Sequence, residues 1–324
     1  PHLERTGPGP AGGPPADSRG VASGFAIVVT APPPAHPTRL AFLGTPELAA
    51  PFLIALVEAG HEIALVITGE DRRRGRREEP SPSPVKAAAN DLGLPVAHDM
   101  GTLVDCGADL GVVVAFGALI PTRILDVLPM VNVHFSSLPR WRGPAPVEWA
   151  VRSGDTTTGV CVIAVGEDFD IGGIHARTEV QIGPRETAVG LRNRLVDAGV
   201  ELLVATLAAG LEAPVPQVGE PTWAEKLTVS DRELDWGLTA VALDRLVRAG
   251  DAWTLVHGRR LKVLAAEPSA DGPDGPPGLL VDDRVATGDG WLRLVEVQAQ
   301  DRSRQPFATW WVGARIEPGV HLGR

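Results

Sequence analysis

The sequence predicts an α/β fold: a doubly wound parallel sheet followed by a smaller β-barrel. Three observations predict it. Apolar segments alternate with helical patterns from residue 39 onward. A continuous apolar run, DLGVVVAFG at 109–117, has the character of a central strand covered on both faces. After residue 222 the pattern changes to short strands spaced by Gly, Pro and Asp.

The elements follow in order. Residues 1–38 hold 9 of the 30 prolines, lack a strand or helix period, and read as a disordered N-terminal arm. RLAFLG (39–44) reads as a buried strand closed by Gly44. Thr45 then serves as a cap, Pro46 as the first helical residue and Glu47 as an acid in the first turn. Leu48, Phe52, Leu53 and Leu56 recur at helical spacing, and HEIALVIT (61–68) completes a strand–helix–strand unit. Strands are expected at 93–98, 109–117, 130–135 and 159–165, an edge strand at 174–182, and helices at 119–128, 144–152 and 187–209. Residues 39–209 thus form one domain and 210–222, with three prolines, a linker. Residues 223–324 form the barrel, with strands at 259–267, 278–290 and 291–300 and a helix at 240–248.

Composition narrows function. The longest apolar stretch, 110–120, is far short of the ~18 residues a membrane span needs. Two cysteines, Cys106 and Cys161, cannot build a disulfide framework, and a reducing, cytoplasmic setting is expected. A net charge of −10 excludes a generic nucleic-acid binder, so such a partner needs a local basic patch. One exists: Arg72, Arg73, Arg74, Arg76 and Arg77 lie within a stretch of six residues. Arginine clusters bind phosphates through charge-assisted hydrogen bonds, although charge runs are also commonly solvated loops. No histidine has ligand-like spacing, so no metal is expected. The first turn, Gly44-Thr45-Pro46, lacks the G-x-G-x-x-G dinucleotide fingerprint.

Two segments carry candidate chemistry. In VNVHFSSLPRWRG (131–143), Asn132 and His134 end a strand two residues apart, so both side chains project from one face. Strand ends bound the ligand crevice in open α/β sheets. An amide donor beside an imidazole suits acyl transfer, with oxyanion stabilisation and proton movement. The same pair also fits a plain structural role. In EDFDIGG (167–173), Asp170 precedes a Gly pair and either orients His134, holds a catalytic water or forms an ordinary surface turn.

Together these segments resemble the methionyl-tRNA formyltransferase family, over about residues 39–316. The resemblance rests on RLAFLGTPELA (39–49), the Arg-rich loop closed by PSPVK, and VVVAFGALIP (112–121). It rests also on NVHFSSLPRWRGPAP (132–146) with its Trp141, FDIGG (169–173) and AEKLTVSDRELDW (224–236). It implies a formyltransferase-type Rossmann-like sheet and an OB-like barrel. It implies Asn132, His134 and Asp170 as catalytic residues, 10-formyltetrahydrofolate as formyl donor, and methionyl initiator tRNA as acceptor. The donor pocket would draw on Phe116, Gly117, Ser136, Ser137, Leu138 and Pro139. The tRNA would meet the Arg loop, Arg76 above all, and a second surface at Lys226, Arg259, Arg260 and Lys262. A monomer is expected. The chain departs from the family at Ser137, Glu78, Glu79, Ile171 and Gly173, none of which removes a candidate catalytic side chain.

Overall fold

The computed structural model describes residues 32–73, 79–272, 274–317 and 319–323. Most of the expected N-terminal arm therefore lies outside the described residues, as do Arg74, Arg76, Arg77 and Glu78 of the basic loop.

The first sheet is built from β1 (Arg39–Gly44), β2 (Glu62–Ile67), β3 (Val96–Ala97), β4 (Leu110–Val114), β5 (Met130–His134), β6 (Thr157–Ala164) and β7 (Ile174–Gln181). Their spatial order is β3-β2-β1-β4-β5-β6-β7. The first five strands are parallel, with β1 and β4 flanking the point where the winding reverses. β6 pairs antiparallel with both β5 and β7, so it alone runs against the other strands of this mostly parallel sheet. The reason lies in α4 (Pro146–Ser153). It packs on the helices described below instead of crossing back over the sheet, so β6 starts level with the end of β5.

Helices α1 (Ala50–Glu58), α2 (Pro84–Asp91), α3 (Thr122–Leu125) and α5 (Ala188–Ala209) complete the layers. The core gathers β1, β4, β5 and β6 against α1 and α5, with Leu40, Phe42, Phe52, Val112, Val133 and Leu195 all 2% exposed or less. Ser83 and Thr187 cap α2 and α5 with their hydroxyls. Thr45 does not cap a helix. Its hydroxyl accepts from the Gly69 N–H, tying the turn after β1 to the turn after β2. The helix expected at 119–128 shrinks to α3, because Pro121 and Pro129 bracket it. The chain is bound into this domain before Arg39: the Ala35 carbonyl accepts from Leu211 N–H, and Asp109 accepts from the Thr38 and Arg39 N–H groups.

The second sheet contains β8 (Trp253–Val256), β9 (Arg259–Ser269), β10 (Leu280–Val281), β11 (Arg284–Ala286), β12 (Trp291–Ala299) and β13 (Gln305–Pro306). Its order is β10-β11-β12-β9-β8, with β13 on β12, all antiparallel. Residues 320–323 join its two edges. Leu280 N–H donates to Val320 O, Leu322 N–H to Gly278 O, and Gly323 N–H to Leu255 O. Bridged edges give the barrel character that the strand spacing predicts. α6 (Ala240–Ala249) and α7 (Phe307–Ala314) pack on this sheet. The sequence reading missed α7, whose Phe307 and Trp310 enter the core one turn apart.

A buried ionic junction joins the domains. Asp244 of α6, 3% exposed, accepts from Arg248 one turn on (2.9 Å) and from Arg185 ahead of α5 (2.9 Å). Arg248 also donates to Glu186 O, and Arg185 to Ala266 O.

Candidate active site

Asn132 and His134 project from the same face at the end of β5, as their spacing requires. The connection from β6 to β7 folds back over this face and delivers Asp170. One carboxylate oxygen, Asp170 Oδ1, receives the Asn132 amide (3.1 Å) and lies 3.3 Å from His134 Nδ1. The other, Oδ2, accepts from the Gly143 N–H (2.9 Å). Burial alone would raise the Asp170 carboxyl. The hydrogen bond and charge of His134, the Gly143 N–H and the Arg142 guanidinium outweigh it and hold the carboxyl below the usual carboxylate value.

Asp170 has φ +56°, left-handed backbone that costs a non-glycine residue strain unless its surroundings hold it. Here the following residues Gly172 and Gly173 give the turn its room, and the carboxylate bonds fix its orientation.

His134 is 5% exposed, and both ring nitrogens are engaged. Nε2 lies 2.8 Å from the Trp141 carbonyl, an acceptor only, so it donates there. Donation to a substrate oxygen therefore falls first to Asn132, which spends one amide hydrogen on Asp170 and keeps a second.

The loop after β5 forms one wall. Ser136 is fully buried and donates to Arg140 O (2.6 Å), so it shapes the loop from inside. Leu138 packs on Cys161, Ile163 and Ile174, and its peptide bond to Pro139 is cis. Ser137 is exposed. Trp141 is 8% exposed and stacks on Trp149 at 5.6 Å between ring centres, while Asp155 binds both its indole N–H and Arg140. β4 pairs with β5, and in the loop that follows it Phe116 is half-buried, Gly117 takes φ +74° and Leu119 is half-exposed. Among the described residues no group of His, Cys, Asp and Glu could hold a metal ion.

The segment 210–222, expected as a linker, forms a second wall. Val215 pairs with Ile174, and Gln217 contacts the Asp170 turn. Thr222 takes the Trp141 N–H on its hydroxyl and the Arg142 N–H on its carbonyl. Ala224 exchanges bonds with Arg142 and Ala145. Proline content announced irregular backbone; nothing in the sequence spacing announced its partners.

The basic residues divide into two places. Of the Arg loop, Arg72 and Arg73 are exposed, and the loop's base is closed by the Arg72–Ser81 backbone pair and the Lys86–Asp71 ion pair (2.7 Å). Arg259 and Arg260 are exposed in the C-terminal domain, Arg260 lying 4.1 Å over the Trp253 ring. They line a cleft of about 810 Å³ together with Arg302, Arg304 and Arg315, and no carboxylate is part of that lining. The sequence reading missed the last three arginines: the β12–β13 connection brings Arg302 and Arg304, and the end of α7 brings Arg315, to the first two at the start of β9. Lys226 is exposed, whereas Lys262 is committed to Asp251 (2.8 Å).

Comparison with known proteins places the fold in a family. Residues 38–207 match the formyl transferase family and residues 226–315 the formyl transferase C-terminal domain family. The structure aligns with an N-formyltransferase from Helicobacter canadensis in complex with folinic acid and dTDP-3-aminofucose. That match has a TM-score of 0.62 at 13% identity and covers 81% of this chain and 98% of that one. HypX from Aquifex aeolicus in complex with tetrahydrofolic acid aligns at TM-score 0.60 and 19% identity, covering 85% of this chain and 47% of that longer one. By fold and by family match the molecule is a formyltransferase.

Closer relatives resolve the class further. The methionyl-tRNA formyltransferase of Heliobacterium modesticaldum is 39% identical over 315 residues, covering 88% of this chain and all of that one. That of Roseobacter denitrificans is 40% identical over 301 residues, covering 87% and 98%. The chain belongs to the methionyl-tRNA formyltransferase family.

Proposed function

We propose that this chain transfers the formyl group of 10-formyltetrahydrofolate to the α-amino group of methionyl initiator tRNA, with Asn132, His134 and Asp170 as the catalytic residues. The observation that carries the reading is the single carboxylate oxygen of Asp170 facing both the Asn132 amide and the His134 imidazole. Acyl transfer to an amine needs a donor where oxygen charge develops and a path for one proton from the attacking nitrogen to the leaving nitrogen. The uncommitted Asn132 N–H supplies the donor. The ionised Asp170, held below its usual value, fixes the amide and the imidazole and accepts positive charge at His134.

The donor's ring system is expected between Phe116, Gly117 and Leu119 on one side and 136–139 on the other. There the structure offers exposed apolar surface beside backbone polar groups, which suits a flat heteroaromatic molecule. Ser136 acts there by holding the loop, since its hydroxyl is already spent on Arg140 O. The tRNA phosphates are expected at Arg72 to Arg77 and at the Arg-lined cleft of the C-terminal domain. The enzyme is read as a cytoplasmic monomer; among the described residues no helix is long and apolar enough to cross a membrane.

The test is a formyl-transfer assay with 10-formyltetrahydrofolate and methionine-charged initiator tRNA. Free methionine and a 4-amino sugar nucleotide serve as competing acceptors. Formyl on the charged tRNA alone is the expected outcome. Transfer to the sugar nucleotide, or donor loss without any acceptor, would overturn the substrate assignment.

A further inference from the structure

Gln217 lies in the segment between the domains, yet its side chain ends at the candidate active site. Its amide nitrogen donates to two backbone carbonyls of the β6–β7 connection, Asp170 O and Gly172 O, both at 2.8 Å. Its amide oxygen accepts from two nitrogens of one guanidinium, Arg142 Nε (3.0 Å) and Nη2 (2.7 Å). All its strong polar capacity is thus spent on two loops from opposite sides of Asp170. One loop holds Asp170 in left-handed backbone; the other supplies the Gly143 N–H to the Asp170 carboxylate.

The surroundings leave Gln217 the main tie across this junction. Gly172 and Gly173 bring backbone freedom but no side-chain anchor to the Asp170 turn. Phe169 and Ile171, its immediate neighbours, are exposed at 48% and 37% and so do not pin the turn by packing. Arg142 in turn cannot stand alone: burial pulls its guanidinium down, with Asp170 and Asp168 offsetting part of that. With two N–H donors and a carbonyl acceptor, an amide can donate to two carbonyls and accept from a guanidinium at the same time, which a single hydroxyl cannot. A carboxylate at this position would keep the guanidinium and face the two carbonyls with no hydrogen to give.

We infer that Gln217 is a positioning residue for formyl transfer, bridging the Asp170 turn to Arg142 so that the carboxylate meets Asn132 and His134 together. The inference rests on the reading of Asp170 as catalytic. It goes beyond that reading by placing part of the active-site framework in the interdomain segment.

The experiment compares full-length Gln217→Met, Gln217→Glu, Asp170→Ala and the double variant Asp170→Ala/Gln217→Met in steady-state formyl transfer. Circular dichroism and melting curves accompany each. Gln217→Met keeps the volume and loses every bond; kcat should fall roughly ten- to a hundredfold while KM for donor and for tRNA stays within about twofold. Gln217→Glu keeps Arg142 but not the carbonyls and should fall by a similar factor, which separates the Asp170 turn from the guanidinium. In the double variant the residual rate should equal that of Asp170→Ala alone, because a residue acting through Asp170 has nothing left to position. Wild-type kcat in Gln217→Met beside an inactive Asp170→Ala overturns this inference and leaves the catalytic reading standing. Losses that multiply in the double variant also overturn it, since they mark general destabilisation. Wild-type turnover in Asp170→Ala overturns the catalytic reading itself.

Discussion

The end of β5 and the C-terminal cleft are both rich in polar side chains, and they are built in opposite ways. At β5 both carboxylate oxygens of Asp170 and both ring nitrogens of His134 have partners within the protein, His134 is 5% exposed, and a backbone amide and a carbonyl complete the network. In the cleft the guanidinium groups of Arg259, Arg302 and Arg315 make no ion pair among the described residues and face solvent. A buried network fixes geometry, because an unpartnered polar group there is expensive. Exposed like charges repel one another and fix nothing; they stay useful only toward an anionic partner, whose bound counterions they displace. The first region can do chemistry that depends on an ångström. The second can supply affinity that tolerates rearrangement.

That contrast can be broken by experiment. The largest effect is expected at the buried trio. Asp170→Ala should lower kcat by about 10³-fold or more, and Asn132→Ala by about 10²–10³-fold, the usual cost of one oxyanion donor. Binding of tRNA, measured by filter retention, should stay within about twofold in both. Comparable losses of binding would merge the two regions into one function.

Next in size is the junction that holds the regions together. Asp244→Ala leaves Arg248 buried without its carboxylate. Removing one partner of such a pair costs several kcal/mol; because Arg185 is half-exposed and screened, about 3 kcal/mol is expected in denaturant unfolding. Calorimetry should then show two transitions where the parent shows one, with donor binding retained by the first domain.

The cleft should respond to salt more than to chemistry. Arg259→Ala, Arg302→Ala and Arg315→Ala combined should weaken tRNA binding roughly tenfold at physiological salt, with the slope of log K against log salt less steep by about 3. Donor KM and single-turnover rate at saturating tRNA should be unchanged. A lower rate at saturation would give the cleft a role beyond affinity.

The smallest effect is the pH dependence of the trio's own stability. The folded-state Asp170 carboxyl lies below its ordinary value of 3.8, with His134 from β5 and Arg142 from the loop facing it and Asp168 beside it. A depressed carboxyl stabilises the fold above its unfolded value, and that contribution disappears as pH falls through the lower folded value. The stability gap between the parent and Asp170→Asn should be widest near pH 6 and narrow below about pH 4. A gap that widens in acid would mean that Asp170 is protonated in the folded protein.

Much of this was legible in the sequence for a simple reason: it is local. Period-2 spacing placed Asn132 and His134 on one face, an apolar run marked β4 as central, and a Gly pair marked the Asp170 turn. The helices expected at 187–209 and 240–248 begin where the structure finds Thr187 and Thr239 as hydroxyl caps. Illegible features depended on residues far apart in the chain. Strand direction after β5 turned on where α4 packs. The five-arginine cleft needed residues 259–260 beside 302–315, and proline-rich 210–222 looked like a spacer because its hydrogen bonds go to other loops. The sequence by itself determined which residue types stand at each strand end and hence what chemistry this family member can carry. Only the tertiary structure decided that Asp170 shares one oxygen between two of them, because that depends on a loop folding back over the sheet and on a distant glutamine meeting it there.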